Sequence, residues 1–224
     1  MTRVLHPRFP PRRDPARARS WWGKAWVRAV EEAAYTPEDL ARARSLARGG
    51  HVGGLTTTPG GVLAAVADGD ELWTVDCRLP LLDDVAQQAL VEVVAAGSGR
   101  VAELLAGRLP LELVEHAEEA GVELLPYGGE LETSCTCDPW TDPCPHALAV
   151  LSQVAWLVEQ DPLVLLQLRG LPREELLYRV RGATPPAAAG EPEGDLDEGV
   201  DAALRAARIL RLLDEPDAAV DHLF

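Results

Sequence analysis

Cys135-Thr136-Cys137, a six-residue spacer and Cys144-Pro145-His146 place three of the four cysteines and one of the five histidines within residues 135–146. Three soft thiolates and one imidazole are the donor set of a tetrahedral metal ion, zinc above all. The cluster also constrains the fold, because its two halves must converge on one point. Two cysteines one residue apart turn inward from a tight knuckle. The spacer Asp138-Pro139-Trp140-Thr141-Asp142-Pro143 is polar and proline-bearing, so it reads as an ordered turn. Cys144 and His146 open the apolar run Ala147-Leu148-Ala149-Val150-Leu151, which reads as a helix with Pro145 in its first turn. The second ligand pair then sits at the positive end of a helix dipole. Four protein donors close the shell, as in a structural zinc site; catalytic zinc keeps a position for water.

The alternatives are weaker. A redox pair would be spaced C-x-x-C rather than C-x-C. Disulfides call for an oxidising compartment, and the sequence shows no signal peptide, so a cytoplasmic location is expected. His146 could also be an ordinary first-turn histidine. Cys77 lies in a strand-like apolar pattern and reads as a small core residue.

The pattern C-x-C-x6-C-x-H followed by a helix resembles the SWIM zinc finger, with Cys135, Cys137, Cys144 and His146 as the matching residues. In that family two strands precede the helix. The segments 122–125 and 130–134 fit them, with Gly128-Gly129 as the turn, giving an embedded ββα-type finger. Ser20-Trp21-Trp22-Gly23-Lys24-Ala25-Trp26, the stretch 40–50 and the stretch 161–170 are similar to segments of bacterial stand-alone SWIM proteins, so the resemblance covers residues 20–180. It implies one structural Zn2+, DNA-binding or protein-interaction roles, and action beside helicase-like ATPases. Pro145 stands where the family often carries a basic residue, which weakens phosphate contact by the finger itself.

The charge distribution points the same way. The chain carries −15 overall, which disfavours generic nucleic-acid binding. Residues 1–50 nevertheless hold 11 Lys/Arg against 5 Asp/Glu, whereas residues 121–170 hold one arginine against seven acids. An acidic finger suits a basic protein surface. The nucleic-acid candidates are therefore Arg3, Arg8, Arg12, Arg13, Arg17 and Arg19, set among prolines in an extended, mobile arm.

Along the chain, residues 1–19 read as that flexible arm. A first α+β region, 20–120, follows. Helices are expected over 21–34 and 37–48, the first with Ser20 as N-cap and its tryptophans facing a core rather than stacking bases. Three antiparallel strands are expected over 52–58, 62–67 and 72–79, with Leu63 and Trp73 among the buried side chains. Helices over 82–96, 99–107 and 110–120 would cover one face of this meander. His51 and His116 read as surface residues. The finger and its following helices span 121–170, with 145–160 apolar nearly all round and hence buried. A short helix follows over 171–182, then an acidic Pro/Ala/Gly linker over 183–195 and an amphipathic C-terminal helix within 196–224. The expected class is α+β, mostly helical.

No phosphate loop, G-x-S-x-G, HExxH or deaminase pattern occurs, and no catalytic residues are nominated. The preferred reading is an adaptor for a helicase-like ATPase or another DNA-metabolism partner. Direct nucleic-acid binding through the arm is the alternative.

Overall fold

A computed structural model describes residues 3–13, 17–97 and 99–183. All the described elements belong to one unit ending at Ala183. The linker and C-terminal helix expected beyond it lie outside the described residues.

The fold is α+β. Its sheet has five antiparallel strands in the order β1 (Val4–His6), β2 (Leu55–Thr58), β3 (Gly61–Asp68), β4 (Glu71–Arg78), β5 (Glu132–Cys135). The three central strands are the expected meander. They are joined by tight turns whose glycines, Gly60 and Gly69, adopt φ of +74° and +63°. Of the two outer strands, β5 falls on the strand expected over 130–134, but its pairing with the meander was not expected, and neither was β1. β1 comes from the basic arm and pairs with β2 through Leu5↔Thr56. β5 comes from the finger and pairs with β4 through Cys77↔Thr133 and Val75↔Cys135.

These two strands correct two expectations. The described part of the arm is extended but not free. Arg8 Nε donates to the Gly50 carbonyl at 2.8 Å, and the Arg12 amide donates to the Arg48 carbonyl at 2.8 Å. The His6 ring lies 3.0 Å from the Thr57 hydroxyl. Prolines do suit an extended segment, but the partners that pin it lie far along the chain, at Arg48, Gly50 and Thr57, and leave no local trace. In the finger, 122–125 forms no strand. The strand partner of β5 is β4, and three helices intervene between them in the chain: α3 (Asp84–Ala96), α4 (Arg100–Leu105) and α5 (Leu111–Glu119). Gly128 opens a 3-10 turn rather than a hairpin, and a Cβ there would lie 2.8 Å from the Ala33 amide nitrogen. Its glycine is required by close approach to α1 (Trp21–Ala33).

One face of the sheet is buried: Leu55, Thr57, Val62, Ala64, Val66, Val75 and Cys77 point inward. Leu63 was expected inside but lies on the outer face, 43% exposed, and Trp73 is only half-buried. The helices laid on the inner face are α6 (Pro145–Gln160) and α7 (Leu163–Leu168). The helices α3–α5 do not provide that cover; α3 packs with α4, α5 and α8 (Arg173–Ala183) instead.

The central element is α6, which touches α1, α2 (Pro37–Arg48), β3, β4, β5 and α7. Its apolar residues face every direction, and Leu148, Val150, Leu151, Val154 and Val158 are all fully buried. Each such side chain contributes about 1.5–3 kcal/mol on burial. The tryptophans of α1 pack against it as expected: the indole N–H of Trp22 donates to the Val158 carbonyl at 3.0 Å, and that of Trp26 to Leu151 at 3.1 Å. Among the described residues, no helix is long and apolar enough to cross a membrane.

Candidate metal centre

The four ligand candidates converge from two elements. Cys135 ends β5, and the chain then folds into a knuckle in which the Asp138 amide donates to the Cys135 carbonyl at 3.3 Å. Asp138 takes φ +49°, a left-handed conformation that Asp tolerates better than most residues. The knuckle is tied to β4 on both sides: the Thr136 amide donates to the Thr74 carbonyl at 3.0 Å, and the Thr74 amide donates to the Thr136 hydroxyl at 2.9 Å. Cys144 is the N-cap of α6, and its sulfur accepts from the Ala147 amide at 3.5 Å. His146 lies in the first turn and is buried.

The donor atoms of Cys135, Cys137, Cys144 and His146 all lie within 4.8 Å of one another. Cys137 Sγ is 3.7 Å from Cys144 Sγ, and Cys135 Sγ is 3.8 Å from His146 Nδ1. A tetrahedral ion with bonds of the zinc–thiolate length separates its donors by about 3.8 Å. The spacing therefore fits one metal ion. These four residues were the ligand set read from the sequence.

The imidazole is oriented for the same role. Its Nε2 lies 3.0 Å from Oδ2 of Asp68, the last residue of β3. Hydrogen bonds from His146 and Arg42 hold the Asp68 carboxyl below its ordinary value of 3.8, so it is ionised and can only accept. The Nε2 therefore carries the proton, and the Nδ1 lone pair points at the sulfurs. A carboxylate behind a ligating histidine is the usual outer shell of a metal site. The ring of Trp73 stacks on His146 at a centroid distance of 5.9 Å and 28° between planes. Asp68 and Trp73 were not singled out as site residues. Nothing local in the sequence links Asp68 to a histidine that far along the chain.

The thiols are crowded. Burial, then the adjacent Cys135 and Cys144, push Cys137 well above the usual thiol range. Burial also raises Cys144, against the opposing amide of Ala147. Thiolates packed this closely call for a neutralising cation. Cys77 is fully buried in the sheet, and burial drives its thiol strongly upward, so it is an inert core residue.

The six arginines of the nucleic-acid reading are scattered. Arg3 and Arg13 are exposed, and Arg8 is bonded to Gly50. Arg12, Arg17 and Arg19 are brought together beside Trp156.

No family model matches the chain, and no solved structure does. The chain is similar to the uncharacterized protein Rv2102 of Mycobacterium tuberculosis, with 28% identity over 175 residues. That alignment covers 77% of this chain and 62% of the relative, so the chain spans under two thirds of the length of the protein it matches.

Proposed function

We propose that this chain is a zinc-stapled interaction protein with an embedded SWIM-type finger, acting as an adaptor for a helicase-like ATPase or another DNA-metabolism partner. The observation that carries the reading is the donor set itself. Three sulfurs and one oriented imidazole are enough donors for a tetrahedral shell with no position left for a reacting water, which supports a structural rather than a catalytic ion. The resemblance to the SWIM family rests on C-x-C-x6-C-x-H and the helix that follows it. Of the two strands expected before that helix, only the second forms, as β5; residues 122–125 do not form a strand.

The finger loop supplies a contact surface. Trp140 is fully exposed at its tip, between Asp138 and Asp142. An unburied tryptophan is the residue type most enriched among binding hot spots, and the flanking acids suit a basic protein surface.

Two measurements test this. Elemental analysis of the purified protein is expected to give one zinc per chain; another metal or none would remove the staple. A tagged full-length chain, used to capture partners from native lysate with and without nuclease, is expected to retain an ATPase or repair protein after nuclease. Trp140→Ala should lose it. Capture that survives Trp140→Ala unchanged, or that disappears with nuclease alone, would overturn the adaptor reading.

A further inference from the structure

A cavity of about 590 Å³ opens between α1, α2 and α6, and a second of about 390 Å³ shares Arg17, Ala18, Val27, Ala155 and Trp156 with it. The shared lining makes them one trough. Its floor is apolar, formed by Val27, Val30, Ala47, Ala155 and Trp156. Its rim is cationic: Lys24, Arg44 and Arg48 line one part, Arg12 and Arg19 the other, with Arg17 common to both.

We propose that this trough binds single-stranded nucleic acid. Six cations gathered at one seam of a chain whose net charge is −15 are a local field of opposite sign to the rest. The two carboxylates that enter are already engaged. Glu31 pairs with Arg44, and Glu159 accepts from the amides of Arg19 and Ser20 and from the Ser20 hydroxyl. Arg17 and Lys24 are exposed and have no side-chain partner among the described residues. Arg12 is held ready: its guanidinium lies 4.7 Å from the Trp156 centroid and 5.3 Å from that of Phe9. That stacking fixes the fork while leaving its N–H groups free at the edge.

The form of the trough selects the ligand. A cationic rim that continues from one cavity into the next suits a phosphate chain better than a single nucleotide. An apolar floor suits the sugars and bases of an unpaired strand; a duplex turns those groups inward and offers phosphates outside. The site is separate from the metal cluster, and it draws on the arm only where the arm is packed.

The test is fluorescence anisotropy with the full-length chain and a labelled oligo-dT of about twenty nucleotides, titrated at several salt concentrations from about 50 mM upward. The expected result is saturable binding that weakens linearly in log–log salt. Arg17→Glu with Lys24→Glu should weaken it roughly tenfold or more and reduce the salt slope by about 1.4. A matched change elsewhere, Arg78→Glu with Arg173→Glu, should leave affinity nearly unaltered, because neither arginine lines the trough. Melting curves of both pairs separate binding from folding. Absence of binding at the lowest salt overturns the proposal. So does equal weakening by both pairs, equal affinity for a duplex of the same length, or displacement by polyglutamate as readily as by unlabelled oligo-dT.

Discussion

The two ends of α6 differ in almost every respect. Its first turn carries Cys144 and His146, sits beside an acidic loop and belongs to a cluster whose ligands are near neighbours in sequence. Its last turns carry Ala155 and Trp156, form the floor of a basic trough, and meet residues from the arm, α1 and α2. Ten residues separate His146 from Trp156, about 15 Å along the helix. One rigid buried rod thus holds a candidate metal cluster at one end and a cationic groove at the other. The lesson concerns locality. Four ligands in a short stretch announce themselves, whereas a groove assembled from three segments does not.

The comparison breaks most severely at the knot. Cys144→Ser should release the metal and destabilise the protein by several kcal/mol, since metal binding and folding of such a site are coupled. Metal content and thermal unfolding measure both. Cys77→Ser, in the same sheet but outside the cluster, should leave metal content at the wild-type level. Full occupancy in the Cys144 variant would remove that cysteine from the ligand set.

Arg169 gives the next largest effect, at neither end. It is 3% exposed and donates to the carbonyls of Pro80 at 2.9 Å and Glu123 at 2.5 Å, and to Glu130 at 3.3 Å. It clamps the segment entering β5 to the chain leaving β4. Arg169→Ala strands the Glu130 carboxylate and two carbonyls, and should cost about 3 kcal/mol in denaturant unfolding. If Arg169→Ala also lowers metal affinity, the clamp positions the knuckle as well as the core.

A third change sharpens the metal end alone. Asp68→Asn keeps shape but leaves a weaker acceptor that Arg42 cannot pair with. Metal affinity by chelator competition should fall about 10- to 100-fold, the usual effect of losing an outer-shell partner. Unchanged affinity would mean that Trp73 and the first turn of α6 orient the ring without it.

These contrasts show why parts of the molecule were legible in the sequence and others were not. The helix Pro37–Arg48 was read to the residue, because Thr36 caps it, Pro37 starts it and glycines follow. The start of α6 and the four ligands were legible for the same local reason. The face of β3 was misread because Val62, Leu63, Ala64, Ala65 and Val66 are apolar on both sides, so a period of two cannot say which side is covered. The strand expected over 122–125 failed because its apolar residues, Val122 and Leu124, are buried without pairing. Strand β1, the β4–β5 pairing, the Asp68–His146 contact and the trough all depend on long-range placement.

The smallest effect lies where the arm enters α1, beside the trough. Burial alone would raise the Glu159 carboxyl, but the hydroxyl and amide of Ser20 and the amide of Arg19 outweigh it and hold it below the ordinary value of 4.5. A carboxyl depressed by folding stabilises the native state above its unfolded value. That stability is lost as pH falls through 4.5 and then through the lower folded value. Glu159→Gln should therefore flatten the acid limb of the stability curve and change little at neutral pH. Ser20 also caps α1, its hydroxyl accepting from the Gly23 amide at 3.0 Å, so Ser20→Ala should cost about 1 kcal/mol at neutral pH as well. If both variants also shift oligo-dT affinity, the Ser20–Glu159 contact sets the geometry of the arginine rim; if neither does, it serves only to start the helix.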